Sequence, residues 1–463
     1  MGRVRYVLDS TSSSKVVIRH RLIQRTFDRS LRHIDIRVQV RQYWIARLGG
    51  SNVDGVPDFR RLDVALDYQI VDCDTHYYEP RDAFTRFIEP EFRDRAVQVT
   101  SRADGGEDIR VGDKIIEVVP DGFFHQAMRP GGLREMMRAV KNGSTLAESG
   151  VYEAMRPEWV SRPERLEKMI EQGVEASVLY PTLGVGVEHH LRHDVPALYA
   201  NLHAFNRWID EDWGYAYEGR IFGAPMLSLA DPDRAVAELE YVLNRGARVI
   251  GMVPGHAHGH SPAHPMFDPF WARVEEAGVM VGLHIAESGY TEFYSTDFSE
   301  AANPVPHEKS ALQWTMFYGD RPIMDTFAAM ILHNLFGRFP KLRMMSVENG
   351  SVWVPYLLTV MDKMKGMGRS GPWLGGRVNG RPSEIFKEHI FVSPFHEESV
   401  PDLVDLIGAR SICLGSDFPH PEGVAEPAEY VERLDGVDAS DVRLMARDNL
   451  REILQLTGAA AVH

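Results

Sequence analysis

Residues 71–76 read Val-Asp-Cys-Asp-Thr-His, an apolar, β-branched strand pattern that runs out into metal-ligand residue types. Side chains along a strand alternate between two faces, so Asp72, Asp74 and His76 are expected on one side, with Cys73 and Thr75 on the other. Far along the chain, residues 415–420 read Gly-Ser-Asp-Phe-Pro-His, a second buried strand ending in an acid and an imidazole. Two such strand ends are how a divalent metal site is assembled at the mouth of a barrel.

Outward from residue 71 the chain alternates apolar runs with helical patterns, the signature of parallel βα units. Eight runs are expected to be strands, at 69–74, 176–181, 221–229, 248–254, 279–285, 343–348, 389–394 and 411–417. Helical patterns lie at 162–172, 232–244, 265–277 and 399–406, several opened by Asp, Ser or Pro. Gly173, Gly246 and Gly278 follow three of them, where a left-handed cap is expected. Eight alternations predict an α/β fold, a (β/α)₈ TIM barrel whose site lies at the C-terminal strand ends. The connections after strands 1 and 5, residues 77–161 and 287–339, are too long for plain loops and read as long insertions that wall the site or touch another subunit. The first offers a hairpin at 109–119, the second Trp314 and an apolar helix at 323–336.

Of the 463 residues, 44% are hydrophobic and 25% charged, and no run of about 18 uncharged apolar residues offers a membrane span. The net charge of −15 is uneven, since residues 1–61 carry 13 Lys plus Arg against 5 Asp plus Glu. Residues 1–66 therefore read as a basic, poorly ordered N-terminal extension outside the chemistry, and 67–463 as an acidic barrel, a poor partner for nucleic acid. With no signal-peptide core and only Cys73 and Cys413, a cytoplasmic protein is expected. By strand parity the two thiols face opposite sides, so no disulfide is expected.

Taken in order, the strand ends present Asp74 and His76, then His284, Glu348, His396 and Asp417. Asp74, His76, His284 and Asp417 supply the three or four N/O ligands that one catalytic divalent ion wants. Glu348 and Asp417 are candidate proton acceptors, and His396 is a candidate substrate or proton-shuttle group. His420, just past Asp417, is expected to orient it or touch substrate. Tyr180 ends the second strand and is a pocket candidate; Arg129 in the first insertion is a candidate grip for a substrate carboxylate. Of the remaining histidines, His256, His258, His260 and His264 read as a solvated loop, His189, His190 and His193 as an exposed helix start, and His333 as a satisfied core residue.

These segments resemble the amidohydrolase superfamily, in the branch related to aminocarboxymuconate-semialdehyde decarboxylase and gamma-resorcylate decarboxylase. The resemblance rests on residues 71–80 (Val-Asp-Cys-Asp-Thr-His-Tyr-Tyr-Glu-Pro), on Val-Gly-Leu-His ending at His284, on residues 338–350, on Gly-Ser-Asp-Phe-Pro-His and on Ala-Arg-Asp-Asn-Leu-Arg at 446–451. It covers about residues 69–456 and implies a mononuclear ion on Asp74, His76, His284 and Asp417. Asp74 stands where many members have His or Glu. Extra carboxylate acidifies an ion's bound water less and favours harder ions, so zinc or manganese is expected. Glu348 replaces a histidine of the decarboxylases, and its anion is poorer at holding a substrate carboxylate.

The leading expectation is a metal-dependent hydrolase that uses metal-activated water on a small organic substrate. The alternative is a nonoxidative, metal-dependent decarboxylase of a small aromatic or unsaturated acid; a third reading is an inert barrel used as a scaffold. Relatives commonly form homo-oligomers, which is the ground for expecting one here.

Overall fold

The computed structural model describes residues 66–456, apart from 117–118, 121, 145–146, 303–308 and 317–319. The extension expected over 1–66 thus lies, but for its last residue, outside the described residues.

Seven strands form the barrel wall: β1 (Ile70–Tyr77), β2 (Val174–Pro181), β3 (Ile221–Gly223), β4 (Val249–Met252), β5 (Met280–His284), β6 (Met344–Val347) and β7 (Ile390–Val392). β1, β2 and β3 make one parallel sheet, and β4 to β7 another. Single parallel bridges close the ring, Met226 to Gly251 between the sheets, Val392 to Ile412, and Thr75 to Phe418. All eight residues of β1 and of β2 are buried, as parallel strands covered on both faces must be.

The eighth wall, expected as a strand over 411–417, is an extended segment without a regular ladder. It is tied in by Cys413 N to Val392 O (3.1 Å), Cys73 N to Leu414 O (3.1 Å) and Asp417 N to Asp74 O (2.8 Å). Irregularity follows from crowding: a Cβ on Gly415 would sit 2.4 Å from Asp74 Cβ, and the backbone turns left-handed at Asp417 (φ 59°). The third expected strand, 221–229, is likewise cut to Ile221–Gly223.

Strict alternation fails in β1. Asp72 pairs with Ser177 and Thr75 with Leu179, so Cys73 and Asp74 together lie across from Val178. Two residues opposing one is a β-bulge, which re-aims the side chains beyond it. Asp74 and His76 therefore face the barrel interior, while Asp72 belongs to the other side, where its Oδ1 accepts from Ser416 N (3.0 Å). The same shift overturns the placing of the thiols on opposite faces, for Cys73 and Cys413 share the interior cluster with Val71, Tyr180 and Met345. Both remain free and buried.

Outside the ring, helices pack over the strands, among them Arg162–Glu171, Pro232–Leu243, Asp268–Ala277 and Val400–Ile407. Asp231 caps the second by accepting from Arg234 N (3.0 Å), and Gly173, Gly246 and Gly278 take left-handed conformations after their helices, as expected. The first insertion holds an antiparallel sheet of Val97–Ser101, Glu107–Val111 and Lys114–Ile115, so the hairpin expected at 109–119 lies at 107–115, turning at Gly112. In the second, the helix expected at 323–336 runs as Asp320–Leu332 and breaks at left-handed Asn334 (φ 58°). Among the described residues no helix is long and apolar enough to cross a membrane.

Candidate metal centre

Where β1, β5, β6 and the eighth segment end, five side chains converge. His76 Nε2 lies 3.2 Å from His284 Nε2, 3.4 Å from Asp74 Oδ1, 3.4 Å from Asp417 Oδ1 and 3.6 Å from Glu348 Oε2. Glu348 Oε2 is 3.1 Å from His284 Nε2. Asp74, His76, His284 and Glu348 have donor atoms within 4.8 Å of one another, as do His76, Glu348, Asp417 and His420. Glu348 belongs to both groups, so strand six contributes to the centre itself. Asp417 is grouped through His76 and His420 rather than with Asp74 and His284.

This donor set suits a divalent cation. Asp74 Oδ1 is buried without a hydrogen-bond partner, a state that costs several kcal/mol of desolvation in order of magnitude unless a cation or proton faces it. His76 Nδ1 faces Pro181 O (3.2 Å) and His284 Nδ1 faces Ile285 O (2.7 Å). With each Nδ1–H donated to a carbonyl, both Nε2 lone pairs point at the shared centre, the arrangement of metal-ligating imidazoles. Glu348 and Asp417 both hold left-handed backbone (φ 55° and 59°), strain of the kind that collects at functional sites. The Asn349 amide, donating to Leu283 O and Val347 O, fastens that turn across β5 and β6.

Protons take the place of a cation in the electrostatics. Burial pulls the His284 imidazole down, but contacts with Asp74 and Glu348 outweigh it and raise its pKa to about 10. His76 is raised by Asp74 and Glu348 against the same burial. Asp74 and Glu348 are lowered, since burial is overcome by both imidazoles. Asp417, farther from His284, is raised by burial and by the charge of Glu348. His420 is held down by burial and then by the charge of His76.

Around the centre, His420 stacks on His76 (centroids 3.9 Å), places Nδ1 2.9 Å from Asp417 Oδ1, and meets Thr182 Oγ1 through Nε2 (2.9 Å). Buried Arg165 donates to the carbonyls of His76 and Glu158 under the ring of Phe418 (5.1 Å), pinning the ends of β1 and the eighth segment. Buried Glu79 accepts from Leu183 N and Gly184 N and fixes the turn after β2. Thr182 and Arg165 carry no local sequence signal, whereas Glu79 falls three residues past His76 within the quoted motif.

A cavity of about 400 Å³ opens above the centre, with His76, His284, Glu348 and His420 in its floor and both insertions in its walls. Other expected residues lie elsewhere. His396 is half-buried against Tyr430 (6.4 Å) and Glu397 (3.4 Å), outside the cavity lining, because the loop after β7 carries it sideways. Arg129 is spent on Glu135 and the Gly150 carbonyl (3.3 Å), and its neighbour Met128 lines the wall. Tyr180 is buried beneath the floor with its ring 4.9 Å from His284, since its register partner is inward-facing His76.

The remaining histidines divide. His189 is buried on Glu292 (2.9 Å) and His190 lines the cavity, contrary to an exposed helix start, because the turn at Gly184–Gly186 folds this segment over the rim; His193 is exposed. His256 and His260 are exposed, His258 is 3.3 Å from Glu188, and His264 accepts from Met266 N. His333 is half-buried on Ser261 (2.8 Å).

The amidohydrolase family profile matches residues 71–456. An amidohydrolase from Mycobacterium avium subsp. paratuberculosis is 36% identical, with a TM-score of 0.75 over 84% of this chain and 100% of that one. The chain belongs to the amidohydrolase family, and it is an enzyme of hydrolase or carboxy-lyase type, which sets the inert-scaffold reading aside. A 2,6-dihydroxybenzoate decarboxylase from Rhizobium shares the fold at 16% identity and TM-score 0.55, over 84% of this chain and 100% of that one. A dihydroxybenzoic acid decarboxylase from a Polaromonas species, solved with manganese and 2-nitroresorcinol, does so at 15% and 0.53, over 84% and 97%. No curated protein matches the chain.

Proposed function

We propose that this enzyme is a metal-dependent hydrolase of a small organic substrate. The observation that carries the reading is Glu348, a third carboxylate in the centre beside Asp74 and Asp417. Asp74, His76, His284 and Asp417, with Glu348 against them, would hold one divalent ion. Such an ion supplies Lewis acidity toward a substrate carbonyl and a position for water. Three oxygen-donor residues against two imidazoles favour manganese over zinc, the ion also held by the Polaromonas decarboxylase.

Glu348 takes the proton of the attacking water. As the water oxygen bonds to the acyl carbon, the bond from that carbon to oxygen or nitrogen breaks, and Glu348 or Asp417 returns a proton to the leaving group. His420, fixed by Thr182, keeps Asp417 aimed at the reacting atoms. The decarboxylase reading draws on the shared fold and a largely apolar cavity wall. Against it, a substrate carboxylate at this floor would face the Glu348 anion, a like-charge contact that offsets part of the ion's attraction.

The manganese-loaded protein is to be assayed against esters, lactones and amides for hydrolysis, and against aromatic acids for CO₂ release. Hydrolysis that collapses in Glu348→Gln is expected. CO₂ release without hydrolysis would establish the alternative.

A further inference from the structure

The cavity is polarised. Its floor is carboxylate and imidazole, whereas Ile116, Val119, Phe123 and Val185 give the wall an apolar part, with Glu287 also in the lining. Into that wall comes His190, whose Nδ1 is buried and has no hydrogen-bond partner among the described residues. With Nδ1 shut away, Nε2 is the ring nitrogen left to meet a ligand in the cavity. Burial first, and the charge of Lys114 next, hold this imidazole down to about 3, so it is neutral. Lys114 lines the same cavity from the tip of the first insertion's hairpin, and Lys309 lines it from the second insertion.

We infer that the substrate is a small organic acid with an apolar body, its anionic group held at the wall by Lys114 and His190 and its reacting bond turned to the floor. An anion pairs with an ammonium group and accepts from an imidazole N–H. The volume of about 400 Å³ suits one such molecule, with room for a ring or short chain between the two polar ends. The binding end stands on its own geometry; only the fate of the other end rests on the hydrolase reading.

The probes are 3-phenylpropionate and its neutral amide, titrated calorimetrically into the metal-loaded protein and its Lys114→Met, Lys114→Arg and His190→Phe variants. The acid is expected to bind at least about tenfold more tightly than the amide. That preference should be lost in Lys114→Met, weakened in His190→Phe and kept in Lys114→Arg. Equal binding of acid and amide, or an undiminished preference in Lys114→Met, overturns the inference, the second because the acid would then sit on the ion. A protein that shows the preference yet hydrolyses no ester or amide leaves this inference standing and removes the hydrolase reading instead.

Discussion

The floor and the wall of the cavity come from different parts of the fold. The floor is made of strand ends, locked by neighbouring strands, and its side chains are buried and turned on one another. The wall comes from two insertions and the turn after β2, and it mixes buried Ile116 and Phe123 with half-exposed Val185 and His190 and exposed Lys114. Chemistry that must place atoms to within half an ångström belongs on the first, and substrate choice on the second. Substitutions in the floor are accordingly expected to cost far more.

The largest effect is expected from His284→Ala. It leaves Asp74 and Glu348 without their shared imidazole, so stoichiometric metal should be lost along with activity; elemental analysis of the purified variant tests this, and full metal content would refute it. Next comes Glu348→Gln, which keeps the shape but removes the base. A fall in kcat of about 10²–10⁴-fold with folding intact is expected, and a change confined to KM would move Glu348 from catalysis to binding. Thr182→Val removes the hydroxyl that holds His420 Nε2 and donates to Tyr77 O, and a loss of about 10-fold to 100-fold in activity or metal affinity is the scale for such a partner.

Two pH dependences sharpen the contrast. In the floor, His76 and His284 hold protons more tightly than an ordinary imidazole, and an ion can enter only as they leave. Metal affinity should therefore rise from pH 6 to pH 8, with proton release on loading; a flat chelator-competition profile would contradict it. Away from the cavity, burial raises Glu398 to about 7, despite hydrogen bonds from Ser351 and Phe395 N. A carboxyl raised on folding adds stability that is complete below its unfolded pKa and is lost as pH climbs through the folded value. Between pH 5 and 8 the melting temperature should decline, since Asp72, Glu79 and Glu422 are raised to about 7 as well, and Glu398→Gln should remove a small part of that decline, the smallest effect of the set.

Sequence reading located the barrel from its eight apolar runs because each strand is buried on both faces and must be apolar throughout. It also brought Asp74, His76, His284 and Asp417 to one rim, since in a parallel barrel every strand presents its C-terminal end on the same side. Where it went wrong, local rules met tertiary ones. Parity placed Asp72 with Asp74 and parted the cysteines, but a bulge opposite Val178 reversed both. His396 and Arg129 follow the right elements, yet their loops turn them onto Glu397 and Glu135.

By itself, the order of residues along this chain determined where the eight wall segments run, which ends carry ligand types and that two insertions must stand over them, because burial and period are local properties of a segment. Only the tertiary structure decided that Glu348 joins the centre, that Arg165 and Thr182 brace it, and that His190 comes into the cavity wall. Those facts depend on distances between segments scores to hundreds of residues apart, and such distances are set by packing and register, which no single segment encodes.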